Sequence, residues 1–223
     1  MLRMIIAIEG IDGSGKNTQA SLLARNLSER GYNVVLMGFP CYSETFFGKE
    51  VGHYLNGNFG GLNEVDPKLA SILYAGDRYE KKSDILQALR NGSVVIIDRY
   101  VSSNVAHQSA KVSDETQEEL QRWIEKLEYD VFGLPRATIN ILLNLDASHS
   151  AELVQKKNTR DYTTKSHDLH EEDSSYLEKV AKVYYSLARN SNNWTLVDCL
   201  DNNILRTIDD ISEDVLAAAL KAM

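Results

Sequence analysis

The strongest fold signal in the chain is MIIAIEGIDGSGKN at residues 4–17. A short apolar run of strand type leads directly into glycine-rich sequence, and a pattern of helical period follows near 16–30. The spacing GxxxxGK in this strand, loop and helix context is typical of a phosphate-binding loop, although a chance glycine-rich turn is the alternative. Backbone N–H groups, a helix N-terminus and a lysine would together hold phosphate oxygens. The residues assigned to this loop are Gly10, Ile11, Asp12, Gly13, Ser14, Gly15, Lys16, Asn17 and Thr18.

Position 17 departs from the usual pattern of such a loop. The Ser or Thr whose hydroxyl commonly binds Mg²⁺ is replaced by Asn17, and a hydroxyl appears one place later at Thr18. Asn17 could offer its amide oxygen to the metal, or it could be a neutral residue at the start of the helix. The second interpretation is favoured, because a Mg²⁺ ion held mainly by phosphates and water needs few protein ligands.

Strand and helix signals alternate along the whole chain. Strand patterns occur at 4–9, 33–38, 93–98, 138–145 and 194–198, and helical patterns lie near 16–30, 46–56, 67–91, 101–131, 174–191 and 204–222. Alternation of this kind predicts an α/β protein with a five-stranded parallel sheet between layers of helices, and ligands at the carboxyl ends of the strands. With 223 residues, 43% of them hydrophobic, we expect one compact domain over 1–223.

Composition excludes several classes of protein. The 24 Lys and Arg residues against 32 Asp and Glu residues give a net charge of -8, which disfavours binding along a nucleic-acid backbone. Two cysteines without a CxxC pattern provide neither a disulfide framework nor a zinc site, which fits a reducing compartment. No apolar segment approaches the length of a membrane span. We therefore expect a cytoplasmic protein that has no membrane or nucleic-acid partner.

The third strand pattern ends in Asp98, Arg99 and Tyr100. At the carboxyl edge of the sheet these residues would lie beside the phosphate loop. Asp98 suits the water shell of a metal ion, and the planar fork of Arg99 suits the charge of a phosphoryl group in transfer. A purely structural ion pair is the alternative.

Two helix faces carry further candidates. Polar side chains at helical spacing follow the third strand, at Tyr100, Ser103, Asn104, His107 and Lys111. Such a stripe alone would more often be a solvated face. Its position directly after Arg99 favours a face that contacts a ligand. Tyr74 and Arg78 lie four residues apart and could stack on a base and hold its phosphate. A core tyrosine and a surface arginine would look the same.

The segment from 148 to 173 interrupts the alternation. Its sequence QKKNTRDYTTKSHDLHEED, from 155 to 173, has little apolar content, with basic residues first and acidic residues at the end. A solvated loop without function is one interpretation, and a mobile lid is the other. The neighbouring phosphate site favours a lid.

With these pieces together, the sequence resembles the thymidylate kinase family of P-loop nucleoside monophosphate kinases. The matching segments are the phosphate loop, Phe39-Pro40 with Thr45, LYAGDRYE at 73–80, DRYVSSNVAHQSAK at 98–111, FGLPRATINILLNLD at 132–146 and Asp168-Leu169-His170-Glu171. The resemblance implies transfer of the γ-phosphoryl group of ATP to dTMP, a step toward dTTP, with Mg²⁺ as cofactor. It also implies a homodimer, for which the helical patterns near 67–91 and 101–131 could supply the interface.

The resemblance also assigns roles to individual residues. Asp12 and Lys16 would serve Mg²⁺ and the ATP phosphates, and Asp98 joins Asp12 as a metal candidate. Tyr74 would stack on thymine, Arg78 would hold the base edge and Arg99 would bind the phosphate of dTMP. The complete substrate pocket would comprise Phe39, Tyr42, Tyr74, Arg78, Arg99, Ser103, Asn104, His107, Gln108, Asp168 and Glu171.

Three departures from the family pattern qualify these roles. Cys41 stands where many relatives have an arginine that reaches the dTMP phosphate, and His107 stands where they have Tyr or Phe. Gly13 occupies a position at which one branch of the family has an arginine, so the catalytic arginine is expected in the lid. Arg160 is the candidate, with Lys156, Lys157 and Lys165 as helpers.

Two rival functions remain open on the sequence. Another nucleoside monophosphate or deoxynucleoside kinase would share the phosphate loop and differ in its base pocket. A nucleotide-binding switch of the GTPase type would bind without phosphorylating, but the chain has no NKxD and no DxxG after a strand. A panel of nucleotide acceptors separates these possibilities.

Overall fold

The computed structural model describes residues 4–155 and 174–223 of the chain. Five parallel strands form one sheet in the order β2, β3, β1, β4, β5. The strands are β1 (Met4–Glu9), β2 (Val34–Gly38), β3 (Val94–Asp98), β4 (Ile139–Asn144) and β5 (Trp194–Asp198). The predicted five-stranded α/β sheet is confirmed.

Helices cover both faces of this sheet. They are α1 (Lys16–Glu29), α2 (Phe46–Leu55), α3 (Pro67–Glu80), α4 (Lys82–Arg90), α5 (Val101–Ser109), α6 (Asp114–Glu125), α7 (Ala147–Gln155), α8 (Ser174–Arg189) and α9 (Ile208–Lys221). A π-helical segment, Lys126–Val131, continues α6, and a small hairpin pairs β6 (Leu200–Asp201) with β7 (Ile204–Leu205). Within the described ranges, no helix combines the length and the apolar content needed to cross a bilayer.

Alternate residues of β1 explain the three layers. Ile6 and Ile8 pack into a core that includes residues of α1 and α9, whereas Ile5 and Ala7 pack into a second core with residues of α4, α5 and α6. Successive side chains of a strand point to opposite faces, so a continuous apolar run buries both. The apolar run of β2 is not buried in the same way. Leu36 is 44% exposed, because β2 lies at the edge of the sheet.

The helical patterns are subdivided more finely than predicted. The pattern at 67–91 breaks at Lys81 into α3 and α4, and the pattern at 101–131 becomes α5, α6 and the π-helical segment. Val131 lies seven residues after Ile124, a spacing that would place both side chains on one face of an α-helix, but Ile124 is buried and Val131 is 65% exposed. The wider turn of a π-helix rotates the following side chains away from an α-helical stripe, which accounts for this exposure.

The segment expected to be a lid begins as regular structure. Its first residues belong to α7, and Ser150 is fully buried there. The Ser150 hydroxyl donates a hydrogen bond to the backbone carbonyl of Asp12. The start of this segment is therefore attached to the phosphate loop.

Candidate active site

The phosphate loop connects β1 to α1 through a tight backbone curl. Gly10, Gly13 and Gly15 have φ values of 146°, 81° and 86°, which residues with side chains rarely adopt. A Cβ atom at Gly10 would also lie 2.9 Å from the carbonyl oxygen of Leu143 on β4. The loop geometry therefore requires glycine at these positions.

Lys16 reaches back across this loop from the first turn of α1. Its side chain is buried, and Nζ donates to the carbonyl oxygen of Ile11 over 2.6 Å. Asn17 and Thr18, by contrast, are exposed at the start of the helix. The ammonium of Lys16 is thus held inside the loop, where phosphate oxygens would meet it together with the helix N-terminus.

Arg99 follows β3 and faces the phosphate loop. Its backbone is in the left-handed region at φ 65°, and its N–H donates to the carbonyl oxygen of Ile8 over 3.1 Å. The guanidinium forms an ion pair with Asp12. Burial lowers the pKa of Arg99, but the negative charge of Asp12 more than offsets this, so the pKa lies above its ordinary value. Arg99 is a permanent cation beside the loop.

His107 on α5 completes the surroundings of Arg99. Burial and the charge of Arg99 lower the pKa of His107 to about 3, so the imidazole is neutral at physiological pH. Its Nε2 lies 3.3 Å from Nη1 of Arg99, and its Nδ1 lies 3.2 Å from the Tyr176 hydroxyl. Because a guanidinium can only donate, Nε2 accepts and Nδ1 carries the proton, an assignment that the hydrogen-bond pattern imposes.

A cleft opens between α2, α3, α5 and the loop. All described residues that the sequence analysis placed in the substrate pocket line it, and their binding roles stay predictions. The lining residues are Asp12, Phe39, Pro40, Tyr42, Leu55, Tyr74, Arg78, Arg99, Ser103, Asn104, His107 and Gln108. Aromatic side chains thus face polar ones across a space that borders the phosphate loop.

Two amide side chains in this cleft have buried polar atoms without a hydrogen-bond partner among the described residues. Gln108 is fully buried, and neither its Nε2 nor its Oε1 has a hydrogen-bond partner among the described residues. Within the same residues, Oδ1 of Asn104 is also buried without a partner. Buried polar atoms of native proteins are almost always satisfied, so these atoms indicate a ligand or ordered water.

Arg78 is held by a residue that the sequence analysis missed. Its Nε and Nη2 each lie 2.6 Å from an oxygen of Glu128, and the side chains are 2% and 0% exposed. Glu128 comes from the π-helical segment and follows Ile124 by four residues. An acidic residue in register with a buried apolar stripe was the available signal.

Comparisons with known proteins agree with this arrangement. A sequence model of the family described as thymidylate kinase matches residues 8–211. The thymidylate kinase of Mycobacterium tuberculosis is 31% identical over 185 residues, which cover 83% of this chain and 86% of that protein. The chain belongs to the thymidylate kinase family.

Further relatives support the same conclusion. A probable thymidylate kinase from Pyrococcus horikoshii is 34% identical over 214 residues, covering 95% of this chain and 93% of that protein. The structure of thymidylate kinase from Candida albicans superposes on this chain with a TM-score of 0.74. The match covers 98% of this chain and 91% of that chain at 24% sequence identity, so the two proteins share the fold. The expected resemblance is confirmed, and thymidylate kinases are nucleoside monophosphate kinases.

A metal candidate, Asp98, lines a groove that also includes Asn17 of the phosphate loop. Oδ1 of Asp98 is buried and has no hydrogen-bond partner among the described residues. Cys41 and Lys81 line the same groove. An unsatisfied carboxylate oxygen next to the phosphate loop fits a hard cation that is otherwise held by phosphates and water.

Cys41 replaces the arginine that many thymidylate kinases have after Phe-Pro. Burial and the charge of Asp77 raise the pKa of Cys41 to about 12, so its thiol is neutral. Its backbone N–H donates to Asp77 over 2.9 Å, and the residue lines the groove beside Asp98. A neutral thiol supplies no charge to an acceptor phosphate.

The remaining predicted residues of the thymidylate kinase site lie outside the described part of the chain. They are the lid cations Lys156, Lys157, Arg160 and Lys165, and the substrate candidates Asp168 and Glu171. Their assignments stay predictions.

Proposed function

We propose that this chain transfers the γ-phosphoryl group of ATP to the 5′-phosphate of dTMP, giving ADP and dTDP. The observation that carries the proposal is the contact between Asp12 of the phosphate loop and Arg99 of the cleft. This contact joins the phosphate loop to a cleft whose aromatic and polar lining suits a nucleotide base. Family membership supports the same reaction.

The groups present suit an in-line transfer without a covalent enzyme intermediate. Lys16 would neutralise charge on the β- and γ-phosphates, and Arg99 would hold the attacking phosphate of dTMP. Both cations are anchored by groups of the protein itself, Lys16 by Ile11 and Arg99 by Asp12 and His107. Such preorganisation stabilises a transition state without a further reorganisation cost.

Mg²⁺ is the proposed cofactor. When bound with ATP it would neutralise phosphate charge and orient the γ-phosphoryl group. Asp98 is the residue best placed to hold the ion or its water shell, because its Oδ1 is buried and otherwise unsatisfied among the described residues. Asp12 is the second candidate, although its carboxylate already pairs with Arg99.

The lid would supply the last catalytic group. In the proposal Arg160 reaches the transferring phosphoryl group when the lid closes, and closure excludes water that would hydrolyse ATP. The attachment of α7 to Asp12 through Ser150 supports a lid anchored at the phosphate loop.

Assembly and location complete the proposal. A homodimer is supported by exposed apolar side chains on the two segments expected to form the interface: Leu69 is 62% exposed, Tyr79 51% and Val131 65%. A cytoplasmic location is supported by Cys41 and Cys199, which are both unpaired.

The test is an ADP-release assay with ATP and a panel of acceptors: dTMP, dUMP, dCMP, dGMP, UMP and thymidine. We expect dTMP to give the highest kcat/KM. Preference for another monophosphate would support a different kinase of this type, and tight nucleotide binding without phosphorylation would support a switch protein.

A further inference from the structure

One buried carboxylate holds two side chains of the base pocket. Oε1 of Glu128 accepts from Nη2 of Arg78 over 2.6 Å and from Nδ2 of Asn104 over 2.8 Å, while Oε2 accepts from Nε of Arg78. Arg78 and Asn104 line the cleft, whereas Glu128 is 0% exposed and lies behind them. Among the described residues, the Glu128 carboxylate bonds to the cleft lining through these two neighbours.

The orientation of the Asn104 amide follows from this contact. Its Nδ2 also donates to the carbonyl oxygen of Ser71 over 3.0 Å, so both N–H groups point at acceptors. A flipped amide would place Oδ1 against two oxygens, which would repel it. Asn104 is thus fixed with Oδ1, an acceptor, available to a ligand.

Arg78 presents a hydrogen-bond donor to the cleft, whereas Asn104 presents an acceptor. Its Nε and Nη2 are engaged by Glu128, and Nη1 takes no part in that pair. A guanidinium has donors only, so whatever Arg78 offers to a ligand is a donor. The pocket therefore combines one fixed donor with one fixed acceptor.

Thymine and cytosine differ in this pattern. Thymine has an acceptor at O4 and a donor at N3, whereas cytosine has a donor at N4 and an acceptor at N3. We propose that Glu128 is a positioning residue that makes the pocket selective for thymine over cytosine by fixing the donor of Arg78 and the acceptor of Asn104. The inference rests on the proposed function, because it assumes that the base of the acceptor lies in this cleft.

An acceptor-only group at position 128 is the physical requirement. The carboxylate faces three N–H donors from two side chains, and each of its oxygens is used. A Gln side chain has the same shape but turns an NH₂ group toward at least one of those donors. Glu128→Gln should therefore release the orientation of Arg78, of Asn104 or of both.

The experiment measures Kd for dTMP, dCMP and dUMP by calorimetry on the full chain, and kcat/KM for the same acceptors. We expect Glu128→Gln to lower the preference for dTMP over dCMP by about tenfold, because a loss of this size is typical when one buried polar group is left unpaired. The dTMP preference over dUMP should stay within about twofold, because uracil has the same edge as thymine and lacks only a methyl group. A general loosening of the pocket would change both ratios.

Two further variants complete the test. Glu9→Gln also removes a fully buried carboxylate, one that accepts from Ser103 over 2.6 Å, and should keep the dTMP to dCMP ratio. Arg78→Met with Glu128→Leu replaces the buried ion pair by apolar side chains, which proteins commonly tolerate, and should abolish the preference even if Glu128→Gln does not fold.

The outcomes separate the two proposals. Wild-type protein that binds dTMP without phosphorylating it contradicts the proposed function, and the Kd ratios still test Glu128. An unchanged dTMP to dCMP ratio in a folded variant at position 128 overturns the role of Glu128 alone. A parallel fall of both ratios shows a structural role and likewise overturns it.

Discussion

In the phosphate loop, the proposed ATP site consists of nine residues that are contiguous in sequence, with backbone N–H groups and one lysine. The proposed acceptor cleft instead collects side chains from five distant segments. The loop cation Lys16 is anchored by the carbonyl of its own loop, at Ile11. The cleft cations Arg99 and Arg78 are anchored by carboxylates 87 and 50 residues away in sequence. A local site depends on chain geometry, and a distributed site depends on every buried partner that orients it.

The largest effect is expected in the local site. Lys16→Ala should lower kcat/KM by about two to four orders of magnitude, because a charge that acts on the transferring phosphoryl group is lost. The dTMP Kd should change little, since Lys16 does not line the acceptor cleft. Steady-state kinetics with calorimetry measures both. Activity within a few-fold of wild type would remove Lys16 from the phosphate site.

In the distributed site, Arg99→Lys keeps the charge and removes the planar fork. A lysine carries all of its donors on one nitrogen, so it reaches Asp12, His107 and a phosphate together less well than the guanidinium fork does. The KM for dTMP should therefore rise about 10- to 100-fold. The KM for ATP should stay within a few-fold. If the ATP constant shifts instead, Arg99 belongs with the phosphate loop, and the contrast between the two regions loses its basis.

The proposed metal site lies where the two regions meet. Asp98→Asn should raise the Mg²⁺ concentration for half-maximal rate about tenfold, because Mg²⁺ prefers charged oxygens to a neutral amide. Asn17→Ala and Asn17→Thr should be nearly silent, since a metal held by phosphates, water and carboxylate needs no ligand there. A defect in Asn17→Ala that Thr rescues would show that the amide of Asn17 binds the metal.

The smallest effect is expected in the pH dependence of the free energy of unfolding. The pKa of His107 is about 3 in the folded protein and near 6.5 when unfolded, so between these values the unfolded chain binds more protons. The stabilisation that comes from the neutral imidazole of His107 is therefore fully present above pH 6.5. As the pH falls below 6.5, the free energy of unfolding decreases by at most ~1.4 kcal/mol per pH unit. His107→Asn should flatten the slope between pH 6.5 and 5.5 in urea titrations.

An exposed histidine provides the control for that slope. His53 lies on the surface of α2, and His53→Asn should leave the pH dependence close to that of wild type. Equal slopes for wild type and His107→Asn would contradict a buried neutral imidazole.

The sequence predicted what is local and missed what depends on distant partners. The loop around Lys16 and the five strands follow from short-range patterns, because glycine spacing and apolar runs determine backbone conformation directly. Glu128 was missed because its partner Arg78 lies 50 residues away, although its spacing of four from Ile124 continues the buried stripe. The contact of His107 with Tyr176, 69 residues apart, has no local signal at all.

The left-handed backbone of Arg99 has a consequence for how this protein can change. An arginine in that conformation is held at a cost of about 1 kcal/mol or more, which Gly or Asn would largely avoid. Under selection for thermal tolerance alone, this strain at position 99 competes with the ion pair between Arg99 and Asp12, which glycine would remove together with the cation of the proposed acceptor cleft. Replacement of Arg99 by glycine in a laboratory lineage selected for thermal tolerance would report that the backbone strain outweighs that ion pair.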